Sequence, residues 1–180
     1  MIKRQKGFSL IELLIVVAII LIIAAIAIPN LIRAKIAANQ SSAAASLRTL
    51  ASSSAMYSST YGDGYPGSLS VLGPAATASA SNCNLAGLID NVLANATAAP
   101  GKSGYYFTWQ IGASQVTSPP SGCAVGGYTD MFAVTGSPTG FPTGTMFYCA
   151  DATGVIREGT VAIVATTSGC PLSAEPIANN

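Results

Sequence analysis

Phe8-Ser9-Leu10-Ile11-Glu12-Leu13-Leu14 opens an apolar stretch that stays uncharged from Leu13 to Ile32, and the basic leader Met1–Gly7, with Lys3, Arg4 and Lys6, comes directly before it. About 20 apolar residues suffice to cross a bilayer as a helix. Glu12 stands at the edge of this run, where a lone carboxylate costs roughly 2.5–3.5 kcal/mol on insertion scales. A chain that keeps an acid there is expected to supply it with a partner, and an amine is the best candidate.

A cut between Gly7 and Phe8 creates that amine. The new terminus lies four residues before Glu12, and residues four apart share one face of a helix. Within one chain the two charges partly neutralise each other. In a stack of identical helices the amine of one chain also meets the glutamate of the next, and such a pair specifies register.

Lys3-Arg4-Gln5-Lys6-Gly7 followed by Phe8-Ser9-Leu10-Ile11-Glu12-Leu13-Leu14 resembles the class III signal of type IV prepilins, a group that includes type IVa pilins and the pseudopilins of type II secretion. The resemblance is close over about the first third of the chain. It implies that a prepilin peptidase and N-methyltransferase cuts after Gly7 and methylates Phe8. It also implies that Glu12, with Phe8, guides docking of subunits into a helical filament. Pro29 matches the proline of the family's first long helix, where the chain can unwind locally in the filament. Further on, Gly104-Tyr105-Tyr106-Phe107 and the segment from Phe147 to Arg157 look like pieces of pilin and major-pseudopilin sheets.

Two plainer readings compete for the amino terminus. A secretory signal would use Ala25-Ile26-Ala27 as its cleavage site, but its apolar region would be long and would gain nothing from Glu12. A simple membrane anchor explains the apolar run and leaves Glu12 and the Gly7-Phe8 junction unexplained; it describes the state before assembly. Lys3, Arg4 and Lys6 precede the span and outnumber Arg33 and Lys35 beyond it. The amino terminus is therefore expected in the cytoplasm of a bacterial inner membrane, with the rest of the chain outside.

The chain has 180 residues, 50% hydrophobic and 8% charged. Its mean hydropathy of +0.50 is high for a soluble monomer. A leading helix and one domain of about 120 residues fit this length. The expected divisions are a leader at 1–7, a long helix at 8–61 made of a membrane or filament-core part (8–32) and an amphipathic part (33–61), and a domain at 62–180. Loss of the leader removes three of the eight basic residues and leaves five against seven acids. No basic footprint remains to suggest a nucleic acid.

Beyond Pro29, positions Ile36, Gln40, Ala43, Ala44, Leu47, Leu50, Ala51, Ser54, Tyr57 and Tyr61 recur at three- and four-residue steps, as one helix face should. Gly62 offers a cap, and Asp63-Gly64-Tyr65-Pro66-Gly67 stops the helix. From Phe8 to Tyr61 it would be roughly 80 Å long at about 1.5 Å per residue. Its second half must leave the lipid, and its Ala and Ser face permits close packing. Pro29 predicts a kink or melted turn over Ala25–Pro29, or a boundary between two helices.

Ser68 to Ser81 is expected to be a surface loop. A short amphipathic helix should follow on Leu85, Leu88, Ile89, Val92 and Leu93. Strand signals run Tyr105 to Ile111, Met131 to Thr135, Thr145 to Cys149 and Val161 to Thr166. Asp151-Ala152-Thr153-Gly154 reads as a hairpin turn, which favours an antiparallel sheet. The fold class is therefore α+β: a long amino-terminal helix packed on a small antiparallel sheet, which is the pilin fold. The four cysteines are even in number, widely spaced and without histidine, so disulfides in an oxidising compartment are expected, with three possible connectivities. The resemblance to the family's C-terminal loop implies Cys149 with Cys170, and with it Cys83 with Cys123.

The usual catalytic constellations lack their parts, with no histidine and only seven scattered acids. No cofactor is expected. Asp130, Asp151 and Glu158 are the candidates for calcium by resemblance to major pseudopilins, against a reading as solvated surface acids and turn formers; hard cations want six to eight oxygens. Tyr57, Tyr61, Tyr65 and Phe8 suggest packing rather than an electron path. Asn39-Gln40-Ser41 and Asn95-Ala96-Thr97 match a short glycosylation pattern that arises often by chance. The expected function is a structural subunit that leaves the inner membrane through the pilus assembly machinery and joins an extracellular type IV pilus. The alternatives are a pseudopilin of type II secretion and a membrane-anchored binding or adhesion module.

Overall fold

The computed structural model describes residues 7–62, 64–74, 81–123 and 130–177. Leader residues 1–6, Asp63 and residues 75–80 of the expected loop lie outside the described residues. The chain divides into two compact units, one up to Lys35 and one from Ile36 to Asn180.

The first helix, α1, runs from Leu10 to Tyr61 without a break in its helical assignment. Ala25–Pro29 is helical throughout, so neither a melted turn nor a boundary between two helices occurs in the isolated chain. Proline removes one amide donor from the ladder, and the strong helix formers around it hold the remaining turns. The helix ends at Gly62, whose φ of 64° and N–H bond to the Ser58 carbonyl (3.0 Å) form a left-handed cap.

In the second unit a five-stranded antiparallel meander follows the sequence order: β1 (Tyr105–Ile111), β2 (Phe132–Pro138), β3 (Phe147–Asp151), β4 (Ile156–Gly159) and β5 (Glu175–Pro176). Phe107, Gly136, Tyr148, Glu158 and Glu175 form one cross-strand row, and Trp109, Val134, Ala150 and Ile156 the next. Most of these residues meet the α1 face of Ala43, Ala44, Leu47, Leu50 and Tyr57 in one core. Burying a leucine such as Leu47 or Leu50 stabilises by about 1.5–3 kcal/mol relative to exposure. Gly136 sets the spacing of helix and sheet, since a Cβ there would stand 3.2 Å from the Phe107 ring and 3.5 Å from Leu47. Tyr57 is fully buried and donates its hydroxyl to the Cys83 carbonyl at 2.6 Å.

Several expected elements differ. Residues 85–89 do not form a helix; Gly87 has a φ of 66°, and Ala86, Gly87 and Leu88 donate their N–H groups to the carbonyls of Val71, Gly73 and Leu72. Only Asn91–Ala94 is helical (α2), started by Asp90, whose side chain accepts the Leu93 N–H at 2.9 Å. The expected surface loop contains a 3-10 turn, Leu69–Leu72, that buries Leu69 and Leu72. Val161–Thr166 is not a strand. β4 lies earlier, at Ile156–Gly159, and β5 takes its free edge, so the valine-rich segment has no ladder to join. Cys83 is bonded to Cys123 and Cys149 to Cys170.

Candidate functional site: the apolar surface of the first helix

From Leu10 to Ile28 every large apolar side chain is about half exposed or more, from 47% at Val17 to 78% at Leu10. Leu10, Leu13, Leu14, Val17, Ala18 and Leu21 line a shallow apolar concavity of about 330 Å³ along one face. A helix that is hydrophobic all round belongs in lipid or among other helices. Phe8 is 81% exposed at its start. Gly7 is exposed, and a Cβ on it would touch nothing within 4 Å, so the fold does not require glycine there.

Glu12 has a partner that the sequence reading missed. Its Oε2 accepts the backbone N–H of Ser9 at 2.9 Å. Leu13 donates its N–H to the Ser9 carbonyl at 3.3 Å. This is half of a capping box, with Ser9 as the capping residue and Glu12 three positions on. The acid also lies in the first helical turn, where the helix dipole favours negative charge. The pattern Ser9-x-x-Glu12 would have signalled it. In the intact chain, then, the carboxylate is met by its own backbone rather than by an amine.

The other candidates do not assemble into a site. Among the described residues no group of three histidine, cysteine, aspartate or glutamate side chains is placed to hold a metal ion. Asp151 is neither a solvated acid nor a calcium ligand: it is buried and accepts bonds from the backbone of Thr153 and Cys170. Glu158 lies opposite Glu175 across the β4–β5 pair. Tyr57 packs on Tyr61 (ring centroids 4.9 Å apart) and Tyr65 on Phe132 (5.0 Å), as core and rim contacts. The amide nitrogens of both glycosylation candidates are engaged, Asn39 with the Thr143 carbonyl and Asn95 with the Asn91 carbonyl.

Residues 2–28 match the family described as Prokaryotic N-terminal methylation motif. Over 47 residues the chain is 57% identical to the Type IV major pilin protein PilA of Myxococcus xanthus. Its amino-terminal segment is that of a type IV pilin. Over 55 residues this pilin segment is also 49% identical to the Type IV wide pilus major component PilA4 of Thermus thermophilus. The similarities cover 26% and 31% of this chain, and 21% and 42% of the length of those two relatives. No solved structure matches the chain significantly. The long pilin helix, the antiparallel sheet and the two disulfides together make a pilin-like α+β fold.

Proposed function

We propose that this chain is the structural subunit of a type IV pilus. It waits in the bacterial inner membrane with its amino terminus in the cytoplasm. Prepilin peptidase cuts it between Gly7 and Phe8 and methylates Phe8. The assembly machinery then extracts it, and the subunits polymerise through their apolar helices into an extracellular filament. One observation carries this reading: a helix preceded by the methylation motif leaves an 18-residue apolar window wholly unburied within its own chain.

Sister helices would bury that surface at about 25 cal/mol per Å² relative to water. Extraction from lipid gains less, because lipid is already apolar, so close packing and polar contacts decide the geometry. Glu12 fits the docking role. Ser9 engages only Oε2, and the second oxygen is left to meet the Phe8 amine of its own or a neighbouring chain. The open space around Gly7 supports a requirement set by the peptidase rather than by folding. Pro29 is the point at which the helix, continuous in the isolated chain, unwinds on assembly.

Mass spectrometry of the mature protein from its native host, with imaging of the cell surface, tests the proposal. The expected result is a chain beginning at methylated Phe8 in surface filaments. A protein that keeps Met1–Gly7 and stays monomeric is instead a membrane-anchored module, and a short periplasmic rod identifies a pseudopilin.

A further inference from the structure

The two ends of the β2–β3 hairpin carry features that fit each other. At one end, the β2–β3 turn presents Phe141, 82% exposed. Every other described aromatic side chain from Ile36 onward is buried or half-buried. The turn is braced: Thr143 donates its N–H to the Gly140 carbonyl at 2.7 Å, Thr139 its N–H to the Gly104 carbonyl at 2.9 Å, and Asn39 its Nδ2 to the Thr143 carbonyl at 2.8 Å. The ring is thus held out on a fixed support.

At the other end lies a cleft of about 300 Å³, walled by Tyr65 and Phe132, floored by Ala51 and Ala55, and flanked by Arg48 and Gly154. Small floor residues leave room for a ring, and aromatic walls suit tilted or offset ring contacts. The Arg48 guanidinium makes no ion pair, since the one found among the described residues joins Lys102 to Asp90. It is therefore free to lie over an incoming aromatic face.

Phe141 cannot fill the cleft of its own chain. Phe132 begins β2, and Phe141 lies beyond its other end at Pro138. Seven strand residues separate the two by about 20 Å at roughly 3.4 Å per residue. We infer that Phe141 of one copy seats in the Arg48–Tyr65–Phe132 cleft of the next. Such a head-to-tail contact uses two different patches and propagates without closing on itself, as a filament requires. The inference rests on the filament reading above and adds to it a contact between globular units, separate from the helix core.

The test uses the full-length chain assembled into filaments. Phe141→Cys combined with Ser52→Cys, which lines the same cleft, should give a ladder of covalent multimers on oxidation, while neither single variant gives one. Phe141→Ser filaments should dissociate at lower temperature than the original, Phe141→Trp should restore most of the loss, and filling the cleft with Ser52→Trp should weaken filaments without adding to the Phe141→Ser effect. Filaments of the double cysteine variant that give no ladder, or Phe141→Ser filaments as heat-resistant as the original, overturn this contact and leave the pilus reading intact. Failure of the unaltered chain to polymerise in its host overturns the pilus reading and this contact with it.

Discussion

Asp151 accepts the backbone N–H of Cys170 through Oδ2 at 2.9 Å, so the acid that opens the β3–β4 turn also holds the loop closed by the Cys149–Cys170 disulfide. Its Oδ1 accepts the Thr153 N–H at 3.0 Å within the turn. A Cβ on Gly169 would stand 2.8 Å from Oδ2, and its φ of 109° favours glycine, which lets the loop backbone come this close. Asp151→Ala leaves these donors without their acceptor and should cost about 2–4 kcal/mol, at about 1–3 kcal/mol per unsatisfied buried group. Asp151→Asn keeps one carbonyl oxygen and should lose less. Thermal unfolding measures the cost, and faster reduction of Cys149–Cys170 should accompany it.

Glu12→Gln separates capping from charge. The amide oxygen can still accept the Ser9 N–H, so helix content and membrane insertion should be unchanged. The charge-assisted contact to an amine is lost, and such bonds are roughly twice as strong as neutral ones. Filament yield should therefore fall by about tenfold or more, the factor that about 1.4 kcal/mol represents. Normal yield from Glu12→Gln would mean that Glu12 acts only as a cap.

Tyr148 gives the fold an alkaline limit. Burial, then the neighbouring Tyr105 and the charge of Glu158, push its phenol up to about 12 from the ordinary value of 10.0. The Tyr105 ring lies 6.0 Å away. Because the folded value is raised, the neutral form is favoured by folding. The associated stability is complete below about pH 10, where the unfolded phenol starts to ionise, and is lost as pH rises toward about 12. Midpoints of thermal unfolding should be flat across neutral pH and fall steeply over that window, together with tyrosinate absorbance. Tyr148→Phe should make the fall shallower.

Glu158 and Glu175 face each other in register on β4 and β5. Like charges directly opposite destabilise a sheet, whereas opposite charges there contribute about 0.2–1 kcal/mol. Glu175→Lys should raise stability by an amount of that order in low salt, and added salt should diminish the gain by screening. Denaturant unfolding at two ionic strengths checks both statements.

What the sequence determined by itself lies in short-range chemistry. The three- and four-residue spacing from Ala43 to Tyr57 identified the buried face of α1, because helical geometry fixes which residues share a side. Gly62 marked the helix end, and Asp151-Ala152-Thr153-Gly154 the hairpin, because a left-handed residue and an Asx turn need particular side chains. The capping bond between Ser9 and Glu12 was equally local and equally legible; the question of a counter-charge drew attention away from it.

What only the tertiary structure decided depends on partners distant in the chain. Val161–Thr166 has the composition of a strand but is none, because a strand exists only where another edge accepts its hydrogen bonds, and β5 already occupies the edge of β4. Leu85, Leu88 and Ile89 have helical spacing, yet their stretch gains more by bonding to the turn at Val71–Gly73 than by coiling on itself. Likewise Asp151 became a buried brace, and Phe141 and the Arg48 cleft came to opposite ends of one hairpin, through strand register alone. Register is set by the packing of the whole sheet on α1, and no window of neighbouring residues contains it.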